Sequence, residues 1–391
     1  GLAYDRGLVD PEDLLSRYFP QHVACQYDER WRRVRVRHLL TMTTGHAACP
    51  MAGMAHAQDP VRAFFETDLA CEPGERFVYS TGASCVLAEL VRRATGRTAA
   101  ELLAQELFCH MEIDNIWWEG CADGSCQGGT GLKASCDDVA KLGLLYCQKG
   151  MWQGRRLLSE EWVEMATARQ AGTPDNGTPD WCAGYGYQMW RCRFGAFRAD
   201  GMGGQYIVMD LERKLVVVFT SALGSDIGVP LQYLENLLLP GVHAQSLPEN
   251  VRAYASLTRL ARELAHPAPA AAPENVPWGE YALEENPLGI ARFGWTEKEI
   301  LLQRHGAVLR VPYEWGAPVV TRLPEETARA WEMRAPELAV TGLPGATPRV
   351  RLHVVGGPFT MYISLEANGA GMEAALRHTV YGSARVRARK A

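Results

Sequence analysis

A run of proline and alanine at residues 266–273 divides this 391-residue chain into two parts of different composition. All eleven cysteines precede it, and the segments before it carry mainly the apolar spacing of amphipathic helices. The segments after it alternate apolar and polar residues with the two-residue period of β-strands. Because a Pro/Ala run forms a stiff linker, we expect an α+β domain over residues 1–245, a helix and linker over 246–277, and a small β-sandwich or barrel over 278–391.

The overall charge and hydropathy argue against two classes of partner. The formal net charge of −5 is opposite in sign to that of a general nucleic-acid binder. No apolar run approaches the roughly 20 residues that span a bilayer. We therefore expect neither a nucleic-acid partner nor a membrane span, and the oligomeric state is left open.

The cysteines favour reduced thiols over a disulfide framework. Their number is odd, and most stand scattered inside apolar segments, which is typical of buried thiols in a cytoplasmic protein. Cys121 and Cys126 are close enough for a clip or half of a metal site. However, no cysteine pair stands with a histidine pair at zinc spacing. We expect no metal and no other cofactor.

One stretch places a tyrosine between a tight turn and a rigid helix start. Pro73-Gly74 is a turn signal, and an aromatic and β-branched run leads to Tyr79. Ser80 or the next residue can cap a helix that ends at Gly96. On the residues alone, an aromatic packed at a helix entrance is the simpler interpretation, and a functional tyrosine is the alternative.

Three other elements can be predicted from local signals. Asp10-Pro11 has the cap, proline and acidic first turn of a helix start, which predicts a helix to about Tyr18. Later in the chain, apolar and β-branched runs predict a hairpin, followed by a helix. The hairpin strands are 205–209 and 215–221, and the helix is 230–239.

In family order, five segments resemble the serine β-lactamases and penicillin-binding proteins, and most closely the class C-like serine hydrolases. They are residues 36–46, 72–82, 140–146, 184–187 and 203–206. The resemblance covers residues 1 to about 240. It implies an α+β fold with an antiparallel sheet flanked by helices, and hydrolysis through an acyl-enzyme.

The family resemblance also implies three active-site elements. They are a Ser-x-x-Lys nucleophile, a Tyr-x-Asn element whose tyrosine moves the proton, and a Lys-Thr-Gly-like or His-x-Gly-like strand beside the acyl group. The second element matches Tyr79-Ser80-Thr81, with Thr81 in the place of the asparagine. The resemblance therefore assigns Tyr79 as catalytic and Thr81 as substrate-binding.

The third element falls at residues 197–205, without a Lys-Thr-Gly or His-x-Gly sequence. There Arg198 can supply the positive charge, and Asp200-Gly201 can take the motif's place. Gly203 and Gly204 would let the backbone approach an acyl group. The other interpretation of this glycine cluster is a plain bulge or turn.

Further candidates come from the neighbouring aromatic and histidine residues. Tyr185, with Trp181 and Trp190, is a candidate wall of the substrate pocket, although each residue type is more often part of a core. His46 flanks a loop near the expected site and is a weaker candidate for contact with substrate.

The first element is absent from these 391 residues, because no serine is followed by lysine three positions later. Thr130 and Lys133 have the spacing but stand in a glycine loop. In the family, Ser-x-x-Lys shortly precedes a segment like residues 1–8, so we expect it upstream of Gly1. A phenol with a pKa near 10 is a poor base at neutral pH unless a cation lowers that pKa. Arg198 is the available candidate for that cation.

The sequence therefore supports two main hypotheses. The first is a β-lactamase-like serine hydrolase that acts on a small amide, ester or peptide. The 391 residues alone would be inactive, because the nucleophile segment is absent from them. The partner of the hydrolase would be a small-molecule acyl substrate. The alternative is a catalytically dead ligand- or partner-binding module of the same fold. An unrelated metal enzyme that uses the cysteine and histidine residues is a distant third.

Overall fold

The computed structural model describes residues 1–119, 128–174, 177–224, 226–333, 335–368 and 371–391. The chain forms two compact units, each described here by itself. The first consists of Gly1–Gly201 with Gln205–Thr220, and the second of Met202–Gly204 with Ser221–Ala391. The α+β class and a separate strand-rich part at the C-terminal end are confirmed. The domain boundaries at 245 and 278 stay predictions.

The first unit contains two longer helices, of 15 and 12 residues, and several short ones. The α-helices are Leu2–Asp5, Pro20–Ala24, Val36–Leu40, Met51–Met54, Pro60–Phe65, Thr81–Thr95, Ala99–Leu103, Cys109–Met111, Cys136–Cys147 and Glu160–Thr167. A π-helical turn covers Ala104–Phe108, and 3-10 helices cover Leu15–Arg17, Glu29–Arg33 and Pro179–Trp181.

Among the described residues of this unit, four strands form one antiparallel sheet. In spatial order they are Trp190–Arg191, Phe197–Gly201, Gln205–Asp210 and Leu215–Phe219. The last two strands confirm the predicted hairpin. Two-residue ladders join Trp117–Trp118 to Leu132–Lys133, and Met151–Trp152 to Arg155–Arg156.

Thr81–Thr95, hereafter the central helix, begins and ends where the sequence signals it. The Ser80 Oγ accepts a hydrogen bond from Ala83 N at 3.1 Å, which satisfies one free amide of the first turn. Gly96 ends the helix in the left-handed conformation, at φ +71°. The helix buries Val86 and Leu90 in the main apolar core of this unit.

The helix Cys136–Cys147 packs against the sheet of the first unit through Gly143. A Cβ on this residue would lie 2.7 Å from Val216 Cγ1 and 3.0 Å from Ile207 Cγ2. Both partners are β-branched side chains held in strands, so they have little freedom to move aside. The glycine therefore sets the distance between helix and sheet.

The helix predicted over residues 10–18 is wrong. Only a short 3-10 helix forms there, because the segment pairs with a later stretch of chain. Leu15 N donates to Val34 O at 2.8 Å, and Val36 N donates to Asp13 O at 3.0 Å. These tertiary backbone bonds take the place of the helical ones, and local helix signals do not override them.

The second unit contains a few helices and a large antiparallel sheet. Its helices are Val229–Tyr233, Val251–Ala265 and Glu325–Ala330, with a π-helical turn at Leu234–Leu238 and a 3-10 helix at Leu239–Gly241. The predicted helix over 230–239 is thus found. The strands are Gly279–Leu283, Ile290–Trp295, Glu299–Arg304, Ala307–Pro312, Glu314–Trp315, Val319–Arg322, Glu337–Leu343, Arg349–Val354, Thr360–Asn368, Gly371–His378 and Gly382–Lys390.

These strands form a single curled sheet. Successive strands pair antiparallel over most of its width, and Gly279–Leu283 also pairs with Gly382–Lys390. Leu309 and Val340 come from strands near opposite ends of the strand order, yet both belong to one apolar core. The sheet therefore closes around its own side chains, and the barrel alternative describes it better than the sandwich.

We expect Gly143→Ala to lower the free energy of unfolding by about 1–3 kcal/mol, the usual cost of overpacking a core. In an open helix the same change stabilises by about 1 kcal/mol. Gly53 offers the matched control, since it lies in a helix and a Cβ there meets nothing within 4 Å. Thermal unfolding followed by circular dichroism should show a lower Tm for Gly143→Ala and no loss for Gly53→Ala. Equal Tm values for the two variants would contradict the packing argument.

Candidate active site

Tyr79 is fixed by the backbone on both of its sides. Val78 N donates to Met42 O at 2.9 Å, and Ser80 N donates to Met42 Sδ at 3.3 Å. The next residue begins the central helix. The side chain of Tyr79 remains 42% exposed. A rigid backbone and an accessible side chain are what a residue in contact with a ligand requires.

Two aromatic rings contact Tyr79, and a third packs against both of them. The four residues form an aromatic wall: Phe77, Tyr79, Tyr185 and Trp190. The Tyr79 ring stacks on Trp190 at 5.7 Å between centroids and 19° between planes. It meets Tyr185 edge-on at 6.5 Å. Phe77 lies 5.1 Å from Tyr185 and 5.3 Å from Trp190. Tyr185 itself is buried, so it supports the wall from behind.

A buried ion pair lies against this wall. The Arg198 guanidinium is fully buried, and its Nε donates to Asp200 Oδ2 at 3.0 Å. Its Nη1 donates to Arg191 O at 3.0 Å. The guanidinium carbon also lies 4.8 Å from the Trp181 ring centroid and 5.8 Å from that of Trp190. A carboxylate, a carbonyl and two aromatic faces thus compensate part of the cost of burying Arg198, while its Nη2 is buried without a hydrogen-bond partner among the described residues.

The protonation states follow from this burial. Desolvation raises the pKa of Asp200 to about 6, against the opposing effects of Arg198 and of a hydrogen bond with the Trp181 side chain. The pKa of Tyr79 is also raised, first by desolvation and next by the negative charge of Asp200. Arg198 therefore does not lower the pKa of Tyr79. The phenol stays protonated at neutral pH.

The glycine cluster forms the turn of a hairpin. Gly201 pairs with Gln205, and Met202–Gly204 makes the connection. Gly203 and Gly204 have φ of +82° and +86°, a region that disfavours side chains. The sequence allowed either a plain bulge or turn, or a backbone that approaches an acyl group, and the structure contains the turn. A role in binding an acyl group stays a prediction.

The loop around residues 128–131 packs on the central helix beside Thr81. A Cβ on Gly129 would lie 2.6 Å from Thr81 Cγ2, and one on Gly128 would lie 2.5 Å from Ala88 Cβ. Only glycine allows such a close approach of the backbone. The half-buried Thr81 is therefore covered on its methyl side. Its role toward substrate stays a prediction.

Gln188 is a positioning residue that the sequence did not indicate. Ser84 Oγ donates to Gln188 Oε1 at 2.6 Å, and Gln188 Nε2 donates to Leu39 O at 3.3 Å. Gln188 thus ties the central helix and the helix Val36–Leu40 to the loop that carries Trp190. Its φ of +59°, uncommon for a non-glycine residue, has no sequence signal.

His46 lies in the core of the first unit, where it is 1% exposed. Its Nδ1 hydrogen-bonds with Thr44 Oγ1 at 2.8 Å, and its ring centroid lies 4.8 Å from that of Phe64. Burial lowers its pKa to about 4, so the ring is neutral at physiological pH. These contacts give His46 a packing role, and its contact with substrate stays a prediction.

The described residues contain neither a cluster of metal ligands nor a helix that could span a membrane. Within the described ranges, no three His, Cys, Asp or Glu side chains are grouped as metal ligands. Cys121 and Cys126 lie outside the described residues. No helix in the described part of the chain is long and apolar enough to cross a membrane.

We expect Asp200→Asn to lower the pKa of Tyr79, because the change removes the negative charge that opposes ionisation of the phenol. NMR of the chain labelled with [¹³Cζ]tyrosine measures this pKa, and Tyr79→Phe identifies the resonance. The control is Asp210→Asn, at the far end of the strand Gln205–Asp210, which should leave Tyr79 unchanged. An unchanged Tyr79 pKa in Asp200→Asn would refute the coupling.

Arg198→Met should be more destabilising at high pH than at low pH. The change leaves the Asp200 carboxylate buried without its cation, a loss of about 3–5 kcal/mol when that group is charged. Since Arg198 holds the pKa of Asp200 down, this pKa lies above 6 in the variant. The folded state then binds the proton more tightly than the unfolded state does. The stability of the variant therefore falls as the pH rises from the ordinary value of 3.8 to the pKa of the folded state, above 6.

Urea unfolding at pH 5 and pH 8 measures this dependence for Arg198→Met. The control is the double variant Arg198→Met/Asp200→Asn, which has no carboxylate to ionise at this position. The free energy of unfolding that the double variant loses, relative to the unsubstituted chain, should depend less on pH than the loss in the single variant. A single variant equally destabilised at both pH values would refute the assignment.

Comparison with known proteins agrees with this architecture. A sequence model of the family described as Beta-lactamase matches residues 1–227. The 6-aminohexanoate-dimer hydrolase of Paenarthrobacter ureafaciens is 29% identical over 245 residues, which cover 57% of this chain and 62% of that protein. This chain thus spans less than two thirds of the length of that curated relative.

Solved structures match this chain at low identity. EstCE1, described as a hydrolase with promiscuous acyltransferase activity, matches with a TM-score of 0.50 at 17% identity, covering 60% of this chain and 79% of that chain. A putative 6-aminohexanoate-dimer hydrolase from Bacillus anthracis matches with a TM-score of 0.48 at 18% identity, covering 67% and 68%. On the family match over more than half of its length, this chain belongs to the β-lactamase family, of the serine β-lactamase and penicillin-binding-protein type.

Proposed function

We propose that this chain supplies the substrate wall and the proton-transferring tyrosine of a serine hydrolase of small amides or esters. The observation that carries the proposal is the placement of Tyr79. It stands at the start of the central helix, with a fixed backbone and an accessible ring stacked on Trp190. The names of the relatives, an amide-dimer hydrolase and a promiscuous acyl-transferring hydrolase, support amides and esters as the substrate class.

The raised pKa of Tyr79 suits a proton donor. A phenol that stays protonated at neutral pH can give its proton to the amine or alkoxide that leaves as the acyl group is transferred. To act as a base, Tyr79 would need a nearby cation that lowers its pKa. In the family that cation is the lysine of Ser-x-x-Lys, a motif absent from residues 1–391. We therefore propose that the acid role is the one built into this chain.

The aromatic wall suggests what kind of acyl group it accepts. The exposed face of the wall is the Tyr79 ring beside the partly buried Phe77, and the buried Tyr185 and Trp190 support them. Such a surface favours an aliphatic or aromatic chain over a strongly charged one. A linear amide such as the 6-aminohexanoate dimer, named for the relative, offers an aliphatic segment of this type.

We further propose that the 391 residues alone form no acyl-enzyme, because they lack the nucleophile motif. A large apolar cavity in the first unit supports this. Its volume is about 500 Å³, and its lining includes Leu87 and Val91 of the central helix with Leu142 and Tyr146 of the helix Cys136–Cys147. The cavity is partly open to solvent, and soluble proteins rarely leave a large apolar surface uncovered. The proposal places the buried helix that carries Ser-x-x-Lys in this space.

The test begins with the 391-residue chain, p-nitrophenyl butyrate and intact-mass spectrometry. We expect no burst of p-nitrophenol and no added acyl mass. One acyl group bound per chain would contradict the proposed inactivity.

The second arm tests the proton-transfer role in the protein extended by whatever its gene encodes before Gly1. If that sequence contains Ser-x-x-Lys, we expect a burst with the ester and turnover of the 6-aminohexanoate dimer. Tyr79→Phe should then slow acylation by about 10²–10⁴-fold, the usual contribution of a positioned acid or base. The control, Tyr27→Phe, changes a fully exposed tyrosine and should have no effect. An unaffected Tyr79→Phe variant would remove Tyr79 from the mechanism.

The alternative, a catalytically dead binding module, is favoured by two observations. Thr81 replaces the substrate-holding amide of the family motif, and the pKa of Tyr79 is raised where a base would need it lowered. For this module we expect the dimer to bind without turnover in both forms of the protein. Calorimetry measures that binding, and turnover of the dimer by the extended protein separates the two functions.

A further inference from the structure

The curled sheet of the second unit encloses an apolar cavity of about 210 Å³. Inward-facing side chains of several strands line it, among them Ile290, Leu302, Leu309 and Leu352. A dry apolar cavity of about 150 Å³ is large enough for benzene, so this one has room for an apolar group of about eight carbons. Eight-stranded antiparallel barrels hold single small ligands in their interior, and the curled sheet surrounds its cavity in a similar way. The cavity is therefore a candidate ligand site.

Two ionisable side chains continue the apolar inner face at one end of this cavity. Arg304 ends the strand Glu299–Arg304 and shares the inner face with Leu302, two residues earlier. His378 ends the strand Gly371–His378 and likewise follows the buried Leu376. Both side chains line the cavity, and the positive charge of Arg304 contributes to lowering the pKa of His378. The two groups therefore lie close together.

These side chains present hydrogen-bond donors. The Nδ1 of His378 accepts hydrogen bonds from Val380 N and Tyr381 N, both at 3.1 Å. In the neutral ring the proton must then be on Nε2, which leaves an N–H donor. Trp331, also in the lining, has a buried Nε1–H without a hydrogen-bond partner among the described residues. A buried donor without an acceptor is costly, and a ligand oxygen would satisfy it.

Arg304 is held in place but is not fully neutralised by the protein. Its Nε donates to Leu288 O at 3.2 Å, and its Nη2 pairs with Glu332 at 3.0 Å. The Glu332 side chain is 67% exposed, whereas that of Arg304 is only 20% exposed. Ion pairs with such exposed partners contribute little. A ligand carboxylate can therefore replace Glu332 on the guanidinium.

We propose that this cavity binds an amphiphilic monocarboxylate. The apolar chain occupies the space lined by Leu302 and Leu309, and the carboxylate accepts hydrogen bonds from Arg304 and Trp331 at the polar end. One guanidinium beside a neutral histidine matches a single negative charge better than a phosphate dianion. The donor set also disfavours an amine, which brings further donors and a positive charge.

The experiment is calorimetric titration of the full chain with sodium octanoate at pH 7.5, compared with octan-1-ol and n-octylamine. We expect one octanoate per chain, weaker binding of the alcohol, and no binding of the amine. The proposal is overturned if octanoate does not bind, or if the amine binds as tightly as octanoate.

Two variants locate the carboxylate. Arg304→Met keeps the apolar stem and should weaken octanoate at least tenfold, with little effect on octan-1-ol. The matched control is Arg310→Met, on the adjacent strand, where the arginine faces outward and pairs with the exposed Glu299. It should bind octanoate as the natural chain does. Equal affinities of the two variants would overturn the proposal.

Two further measurements do not depend on the Arg304 variant. Leu309→Phe fills the cavity and should abolish binding of both octanoate and the alcohol, in a protein whose circular dichroism is unchanged. The indole N–H resonance of Trp331, assigned with Trp331→Phe, should shift on addition of octanoate. Retained binding in folded Leu309→Phe, or an unmoved Trp331 resonance at saturation, would overturn the proposal.

Discussion

The ion pair of Arg198 and Asp200 is the interaction on which the candidate site depends. Two charges removed from water are costly unless each has a close partner and the remaining polar atoms are hydrogen-bonded. Here the guanidinium has a carboxylate, a carbonyl oxygen and the faces of Trp181 and Trp190, but its Nη2 is buried without a hydrogen-bond partner among the described residues. Trp190 in turn carries the Tyr79 ring. The buried charge pair and the accessible tyrosine are therefore parts of one packed arrangement.

This arrangement raises the pKa of Tyr79, whereas a tyrosine that acts as a base needs a lowered pKa. The charge that acts on the phenol is the negative one of Asp200, and desolvation acts in the same direction. Arg198 is turned toward Asp200 and the backbone, so its positive charge stabilises the site without activating the tyrosine. An activating cation, if the reaction uses one, has to come from outside the described contacts. This is the physical basis for treating Tyr79 as a proton donor.

Features encoded by adjacent residues could be predicted from the sequence. The turn at Pro73-Gly74, the cap at Ser80 and the stop at Gly96 are local signals, and the structure contains all three. The alternating strands after the Pro/Ala linker were predicted for the same reason. The helix over residues 10–18 failed because its backbone bonds go to Val34 and Val36, which no local signal reveals.

The environment of each site residue could not be predicted in the same way. The glycines of residues 197–205 were compatible with a turn or with a strand beside an acyl group, and the structure has a turn at Gly203 and Gly204. An arginine in such a segment suggests an exposed charge, but Arg198 is buried by Trp181 and Trp190, which come from an earlier part of the chain. Burial and long-range partners decide protonation, and only the three-dimensional structure supplies them.

The titration of Asp200 itself measures the balance between burial and the charge of Arg198. The ¹³Cγ chemical shift of this residue, assigned with Asp200→Asn, reports its protonation in the intact chain. We expect a midpoint near pH 6, because burial outweighs the stabilisation of the carboxylate by Arg198. A midpoint at or below the ordinary value of 3.8 would mean that the charge of Arg198 outweighs burial, and would contradict the environment described for the candidate site.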